Sequence, residues 1–296
     1  MFDKFCSLGV AATLMALSSS LSILSAQQPV FRSSAERVTV AVVVRDRDGR
    51  PIRNLSAADF EVTDDGDVRK ILDFRNDLSP VSVGLLFDSS GSMSIGGKLK
   101  RASEVGHLLL SSMNEGSDEA ALFVFDKVVR TVQPFTNEFD RVRSSFASVH
   151  PWGSTSLYDA IAQTAQALSK RPGRRAIMVL TDGVDTSSQL TPQEVSGIAS
   201  AIDMPVYVVA VETSLTEDGE LTNLARWSGG RLYGVSNTAD GSVVARQIVN
   251  ELRHQYLIAF EPRSSVGWHR IDVRSRQRAT LQARSGYWVG PSAFDR

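Results

Sequence analysis

Cysteine is nearly missing from this chain: of 296 residues only Cys6 carries a thiol. An intramolecular disulfide is thereby excluded, and with it the small cystine-stapled extracellular module. A thiolate metal site, which needs several cysteines, is excluded as well. An excess of charge of one sign is also lacking. Lys and Arg total 32 against 33 for Asp and Glu, a net charge of −1. That balance gives no electrostatic footprint for a general nucleic-acid or membrane-surface role. Arginines outnumber lysines, but they are scattered among acids and read as solvated faces and ion pairs. Histidine is scarce, and His107, His150, His254 and His269 have no ligand-like spacing. His107 falls in a helical stretch and reads as packed or capped. The 42% apolar and 22% charged fractions are those of a soluble globular protein, long enough for one large domain or two of ordinary size.

The first 26 residues read as an export signal. Lys4 gives a weak positive start, an apolar stretch runs from Leu8 to Leu17, and Leu24-Ser25-Ala26 offers a cleavage site. No charge falls between Lys4 and Arg32, so an uncleaved membrane anchor is the competing reading. Serines at 18, 19, 20 and 22 weaken that span and favour cleavage. Cys6 lies inside the signal with no leucine three residues before it, which argues against a lipobox. The expected location is secreted or periplasmic, with no integral span after cleavage. Residues 27–37 form a polar leader.

Residues 38–79 read as all-β. Val38–Val44 is a strand, Asp46-Arg47-Asp48-Gly49 a hairpin-type turn, and Phe60–Thr63 alternates before the turn Asp64-Asp65-Gly66. The turn at 46–49 faintly resembles the start of a calcium loop but lacks the downstream Glu of an EF-hand. From about Pro80 the pattern changes. Val81–Phe87 and Ala176–Leu180 are near-continuous apolar runs, as expected of strands covered on both faces. Helical periodicity marks Leu99–Met113, Thr155–Leu168, Leu221–Ser228 and Ser242–Arg253, and Thr191-Pro192-Gln193-Glu194 opens a further helix to Ala201. Strands fall at Ala120–Phe125, Pro205–Val211 and Arg231–Val235. This alternation over 80–252 predicts an α/β fold with a doubly wound, mostly parallel sheet and helices on both faces. After Arg253 short strands return at Tyr256–Phe260, Trp268–Val273, Ala279–Ala283 and Gly286–Val289. Each flank is roughly forty residues, near the lower limit for a core of its own. The expectation is one β-sandwich built from 38–79 and 253–290, with the α/β domain inserted between them. Two separately docked β-extensions are the alternative.

Three segments carry the chemistry. Asp88, Ser90 and Ser92 alternate in DSSGSM after the first apolar strand, Thr155 stands in GSTSLYDA before a helix, and Asp182 stands in LTDG after the second apolar strand. In a doubly wound sheet ligands sit at the carboxyl ends of strands, where strand order reverses. Three hydroxyls and two carboxylates are a hard-oxygen set suited to Mg²⁺, Mn²⁺ or Ca²⁺. Gly91 is expected to let the loop turn tightly. Each piece also has a plain reading: DSSGS as a capped turn, Thr155 as a helix cap, TDG as a turn. Their order after the right strands favours the metal.

These motifs, in this order and spacing, resemble the metal-ion-dependent adhesion site of von Willebrand factor A (VWA) domains. The resemblance covers about residues 80–252. The flanking patterns R-D-x-x-G-R-P-I and L-x-x-x-D-F-E-V-x-D-D-G before it, and Y-L-I-A-F-x-P, R-I-D-V and R-x-G-Y after it, resemble the VWFA-related family frequent in acidobacteria. The VWA resemblance implies that Ser90 and Ser92 coordinate directly, Thr155 directly or through water, and Asp88 and Asp182 partly through water. Few direct carboxylates leave the ion electron-poor and open to an Asp or Glu carboxylate from a protein, envelope or matrix partner. Met93, Ile95, Trp152, Val184 and Asp185 are expected on the rim. Trp152 is either an aromatic anchor for the partner or packed on the domain's upper face. In some relatives the last helix slides on ligand exchange; here that helix leads directly into the C-terminal flank.

The leading expectation is therefore a binding module and not an enzyme. A structural scaffold of an envelope complex, with contacts made by the β flanks, is the second reading. Metal-dependent hydrolysis is the third, and it lacks a second metal cluster, a placed histidine and a nucleophile–base pair.

Overall fold

A computed structural model describes residues 37–183, 185–191, 194–195, 204–211 and 219–289. The expected export signal, residues 27–36 of the expected leader, Val184 and most of the helix expected over 191–201 lie outside the described residues. Thr191 and Glu194, at the start of that helix, exchange the hydrogen bonds of a capping box.

Four short strands precede the α/β unit: β1 (Val38–Arg45), β2 (Phe60–Asp64), β3 (Asp67–Arg69) and β4 (Ile71–Arg75). The unit itself contains β5 (Val81–Asp88), α1 (Lys98–Ser112), β6 (Glu119–Phe125), β7 (Val129–Thr136), α2 (Phe139–Ser145), α3 (Leu157–Ser169) and β8 (Arg174–Thr181). It continues through β9 (Val206–Val211), α4 (Glu220–Ser228), β10 (Leu232–Val235) and α5 (Thr238–Arg253). Four strands follow: β11 (Tyr256–Phe260), β12 (Gly267–Ser275), β13 (Thr280–Gln282) and β14 (Gly286–Val289).

The six-stranded sheet has the order β10-β9-β8-β5-β6-β7, parallel except for β7. It is the doubly wound α/β arrangement that the sequence predicts. Every residue of β5 and β9 is buried because both faces are covered. Alternate side chains serve opposite cores. Val83, Leu85 and Phe87 join Ala176, Met178 and Leu180 beneath α1, α2 and α5, whereas Leu86, Ile177 and Val179 pack under α3 and α4. Gly84 lets α3 approach β5 closely, since a Cβ there would lie 2.8 Å from a Thr164 methyl.

β7 and α2 carry no periodic signal in the sequence. β7 is a bulged edge strand carrying Pro134, so its alternation is broken. α2 is only seven residues long. α5 begins four residues earlier than its periodicity suggested. Asn237 caps it by accepting from the Asp240 N–H at 3.0 Å, and Gly241 within it lets Val105 of α1 pack close.

The flanking strands interleave. β1 lies between β13 and β11, and β2 pairs with β12, all antiparallel. Val38 faces Phe260 across 222 positions of chain, since 260 − 38 = 222. The two four-stranded sheets share one core of Val40, Val42, Phe60, Val62, Ile258, Phe260 and Tyr287 among others. At 46–49 Asp46 Oδ1 accepts from the N–H of Asp48 and of Arg50, so the segment is an Asx turn. Among the described residues no helix is long and apolar enough to cross a membrane.

Candidate metal centre

β5 leads to β6 on one side, and β8, entered later, lies on the other, so strand order reverses between β5 and β8. That crevice is where a doubly wound sheet exposes backbone and side chains to a ligand. Register places Phe87 beside Leu180, so Asp88 and Asp182 leave the sheet together.

Asp88 is fully buried. Its Oδ1 accepts from the Ser90 N–H at 2.8 Å and its Oδ2 from the Thr181 hydroxyl at 2.5 Å. Burial pushes its carboxyl above the usual carboxylate range. The hydrogen bonds from Thr181 and Ser90 oppose this, and the neighbouring Asp182 charge adds to it. The Ser90 and Ser92 hydroxyl oxygens lie 3.1 Å apart. Ser92 donates to Asp182 Oδ1 at 2.8 Å. Four of the five sequence-derived residues thus form one continuous hydroxyl–carboxylate cluster.

Thr155 sits on the loop docked against that cluster. The Gly91 N–H donates to the Gly153 carbonyl at 3.0 Å, and the Trp152 N–H to the Ser89 carbonyl at 2.6 Å. Thr155 is buried, and its backbone is tied to Thr186 and Ser187. Capping α3 falls to other residues. Asp185 Oδ1 accepts from the Leu157 N–H at 2.7 Å, and Ser188 Oγ from the Tyr158 and Asp159 N–H groups. The Thr155 hydroxyl is therefore not needed as a helix cap.

The expected rim divides. Trp152 is 80% exposed and Ile95 65% exposed, so both face solvent, and Trp152 is not packed on the upper face. Met93 is fully buried in the core beneath α1 and offers no rim surface, because the loop's 3₁₀ turn at Gly91–Ser94 directs it inward. Asp185 is engaged as the α3 cap and is not a free rim acid. Gly91 is not in the left-handed region either. The left-handed residues of this loop are Gly96 at φ 66° and Gly97 at φ 78°.

Two features escaped the sequence reading. Lys98, the first residue of α1, places its ammonium 2.6 Å from Asp182 Oδ2. The signal was a lysine at a helix N-terminus, where the helix dipole disfavours cations. The second feature lies far away, in the β layers. Asp64, Asp65 and His269 bring their ligand atoms within 4.8 Å of one another. Arg69 and Arg263 already face these acids, so the cluster is charge-compensated. The other histidines are spoken for: His107 meets the Arg143 carbonyl and the edge of Phe146, His150 the Ser148 carbonyl and His254 the Asn250 carbonyl.

The donor set fits a small divalent cation. It is all oxygen, it joins hydroxyls to carboxylates, and it is anchored at strand ends and a docked loop.

Comparison with known proteins agrees with this architecture. Residues 83–184 match the model of the von Willebrand factor type A domain. No curated protein matches the chain. Among solved structures, the conserved hypothetical protein BatB from Bacteroides thetaiotaomicron is 20% identical with a TM-score of 0.50, over 58% of this chain and 98% of that one. A von Willebrand factor type A protein from Catenulispora acidiphila is 14% identical with a TM-score of 0.51, over 88% of this chain and 76% of that one. At these identities the likeness is one of fold. The α/β unit between the two β flanks has the fold of a von Willebrand factor type A domain, and its residues 83–184 match that domain's model.

Proposed function

We infer that this protein is a secreted or periplasmic binding module that holds a protein, envelope or matrix partner through a divalent cation. Asp88, Ser90, Ser92, Thr155 and Asp182 are its ligands, directly or through water. The observation that carries this reading is the junction of Asp88, Ser90, Ser92 and Asp182 at the carboxyl ends of β5 and β8. A bound Mg²⁺, Mn²⁺ or Ca²⁺ would supply a Lewis-acidic corner for a partner's Asp or Glu carboxylate. The chain's own residues do the rest. The serine hydroxyls add no charge, so the ion stays electropositive. Thr181 and the Ser90 N–H hold Asp88 in place. Trp152 and Ile95 give the partner apolar surface beside the ion. The apolar stretch Leu8–Leu17 followed by Leu24-Ser25-Ala26, read as an export signal, supports the location, and the VWFA-like flank motifs support a two-part design in which the β layers carry the VWA unit.

The test is affinity capture from the native envelope in Mg²⁺, followed by elution with EDTA. Asp88→Ala and Ser90→Ala should abolish the eluted fraction. Capture that ignores both chelation and substitution rejects the metal mechanism. Capture by a variant of the full chain altered only in the β layers, lost while Mg²⁺ uptake persists, would favour the scaffold reading.

A further inference from the structure

The geometry points to Lys98 as a tethered counter-ion that occupies the acidic side of the cation site until a divalent ion displaces it. This rests on the metal reading above and concerns how that site is regulated.

Three observations carry it. First, the Lys98 ammonium lies 2.6 Å from Asp182 Oδ2, on the same carboxylate that accepts from Ser92 through its other oxygen. The Asp182 side chain is 2% exposed and that of Lys98 20%, so the pair is largely shielded from water. Second, Lys98 is spent at an unfavourable place. It opens α1, where backbone N–H groups and the helix dipole repel a cation. Lys100, two residues on, shows the ordinary alternative, 84% exposed and only 4.0 Å from Glu104. Third, the backbone aims Lys98 back at the site. Gly96 and Gly97 both adopt positive φ immediately before it, a turn that a residue with a side chain would strain to make.

The charge arithmetic gives the consequence. Asp88 and Asp182 contribute two negative charges, and Lys98 returns one. A divalent ion neutralises both acids by itself, so the ammonium becomes surplus and is repelled. Lys98 has a flexible four-carbon stem and already touches solvent, so it can swing outward without unfolding the helix. Metal uptake is then an exchange of one cation for another. The affinity is lower than the oxygen ligands alone would give, and the metal-free loop stays closed over its acids instead of springing apart.

Calorimetric titration of the full chain with MgCl₂ and MnCl₂ tests this, comparing wild type with Lys98→Gln and Lys98→Arg. K98Q should bind roughly tenfold more tightly, as fits a pair intermediate between an exposed and a buried ion pair. K98R, which keeps the charge, should stay near wild type. In EDTA the melting temperature of K98Q should fall below that of wild type, and Mg²⁺ should restore it. Should K98Q fold poorly, the wild type provides a second readout. Amine acetylation followed by mass spectrometry should label Lys98 several-fold faster with Mg²⁺ than with EDTA. Uptake of metal only by K98Q supports the exchange in its strongest form. Equal affinity in wild type and K98Q, or Lys98 labelling indifferent to Mg²⁺, overturns it while leaving the metal site standing. No uptake by any form at millimolar metal brings down the metal reading itself.

Discussion

Asp64 and Asp88 are both fully buried aspartates at the last position of a β-strand, one in the β layers and one in the VWA domain. Their surroundings are opposite. Asp64 Oδ2 accepts from the Tyr287 hydroxyl at 2.8 Å and lies 3.1 Å from the Arg69 guanidinium, and its Oδ1 faces Arg263 at 3.9 Å. Among the described residues the donors that Asp88 meets are neutral, the Ser90 N–H and the Thr181 hydroxyl among them. A buried carboxylate surrounded by arginines is already compensated and serves cohesion. A buried carboxylate held by neutral donors and neighboured by a second acid is not compensated. In the proposed function that charge is what a cation would meet. The two regions thus handle a buried carboxylate in opposite ways, one with cations and one with neutral donors.

The contrast can be broken by exchanging the roles. The largest effect is expected from Asp64→Ala, which removes the partner of Arg69 and the acceptor of the Tyr287 hydroxyl in the β layers, while Arg263 keeps Asp65 and Asp67. A loss of about 3–5 kcal/mol is expected in urea unfolding, with Mg²⁺ binding at the distant site unchanged in whatever fraction folds. Asp88→Ala in chelator should cost less, about 1–3 kcal/mol, because it orphans only a hydroxyl and a backbone N–H. Its Mg²⁺-dependent rise in melting temperature should vanish. If Asp88→Ala proved the costlier of the two without metal, the two aspartates would not differ in this way.

Smaller changes sharpen it. Thr181→Val removes one hydroxyl that holds Asp88 and accepts from the Gly183 N–H. It should lower stability by about 1 kcal/mol and weaken Mg²⁺ uptake, read by calorimetry.

The smallest effect concerns pH. His269 sits between Asp65 Oδ2 at 2.7 Å and the Ser265 carbonyl at 2.8 Å, with Asp64, Arg263 and Tyr287 around it. Burial works against its charged form, but the hydrogen bonds to Asp65 and Ser265 outweigh that and raise its pKa above the ordinary 6.5. A raised folded-state pKa means the contribution is complete below 6.5 and is lost as pH rises through the higher folded value. Asp65 is held below the ordinary 3.8 by the Arg270 N–H and by His269, so its share is present above 3.8 and lost only as pH falls through its lowered value. The stability gap between wild type and His269→Gln should therefore narrow on the alkaline side of 6.5. A gap that stays constant from pH 6 to pH 9 would show that the imidazole acts by packing alone.

Much of the VWA domain was legible from the chain because its information is local. Val81–Phe87 and Ala176–Leu180 are apolar on both faces, so they announce covered parallel strands, and the acids and hydroxyls directly after them inherit the place where ligands sit. The bulged strand with Pro134 and the seven-residue α2 were not legible, since neither shows a full period. Met93 and Asp185 were misread for a related reason. Proximity in sequence placed both near the site, but a 3₁₀ turn buried one and the N-terminus of α3 claimed the other.

The amino-acid order by itself determined the doubly wound sheet, the oxygen character of the site and the strand ends that carry it. Periodicity and turn chemistry act over a few residues and survive without knowledge of the whole. Tertiary structure alone decided that Lys98 lies on Asp182, and that β2 and the turn after it bring Asp64 and Asp65 to His269 some two hundred positions later. Those meetings depend on which strands pair and which helix end faces which loop. No local period encodes such choices, because they follow from burying all the apolar faces at once.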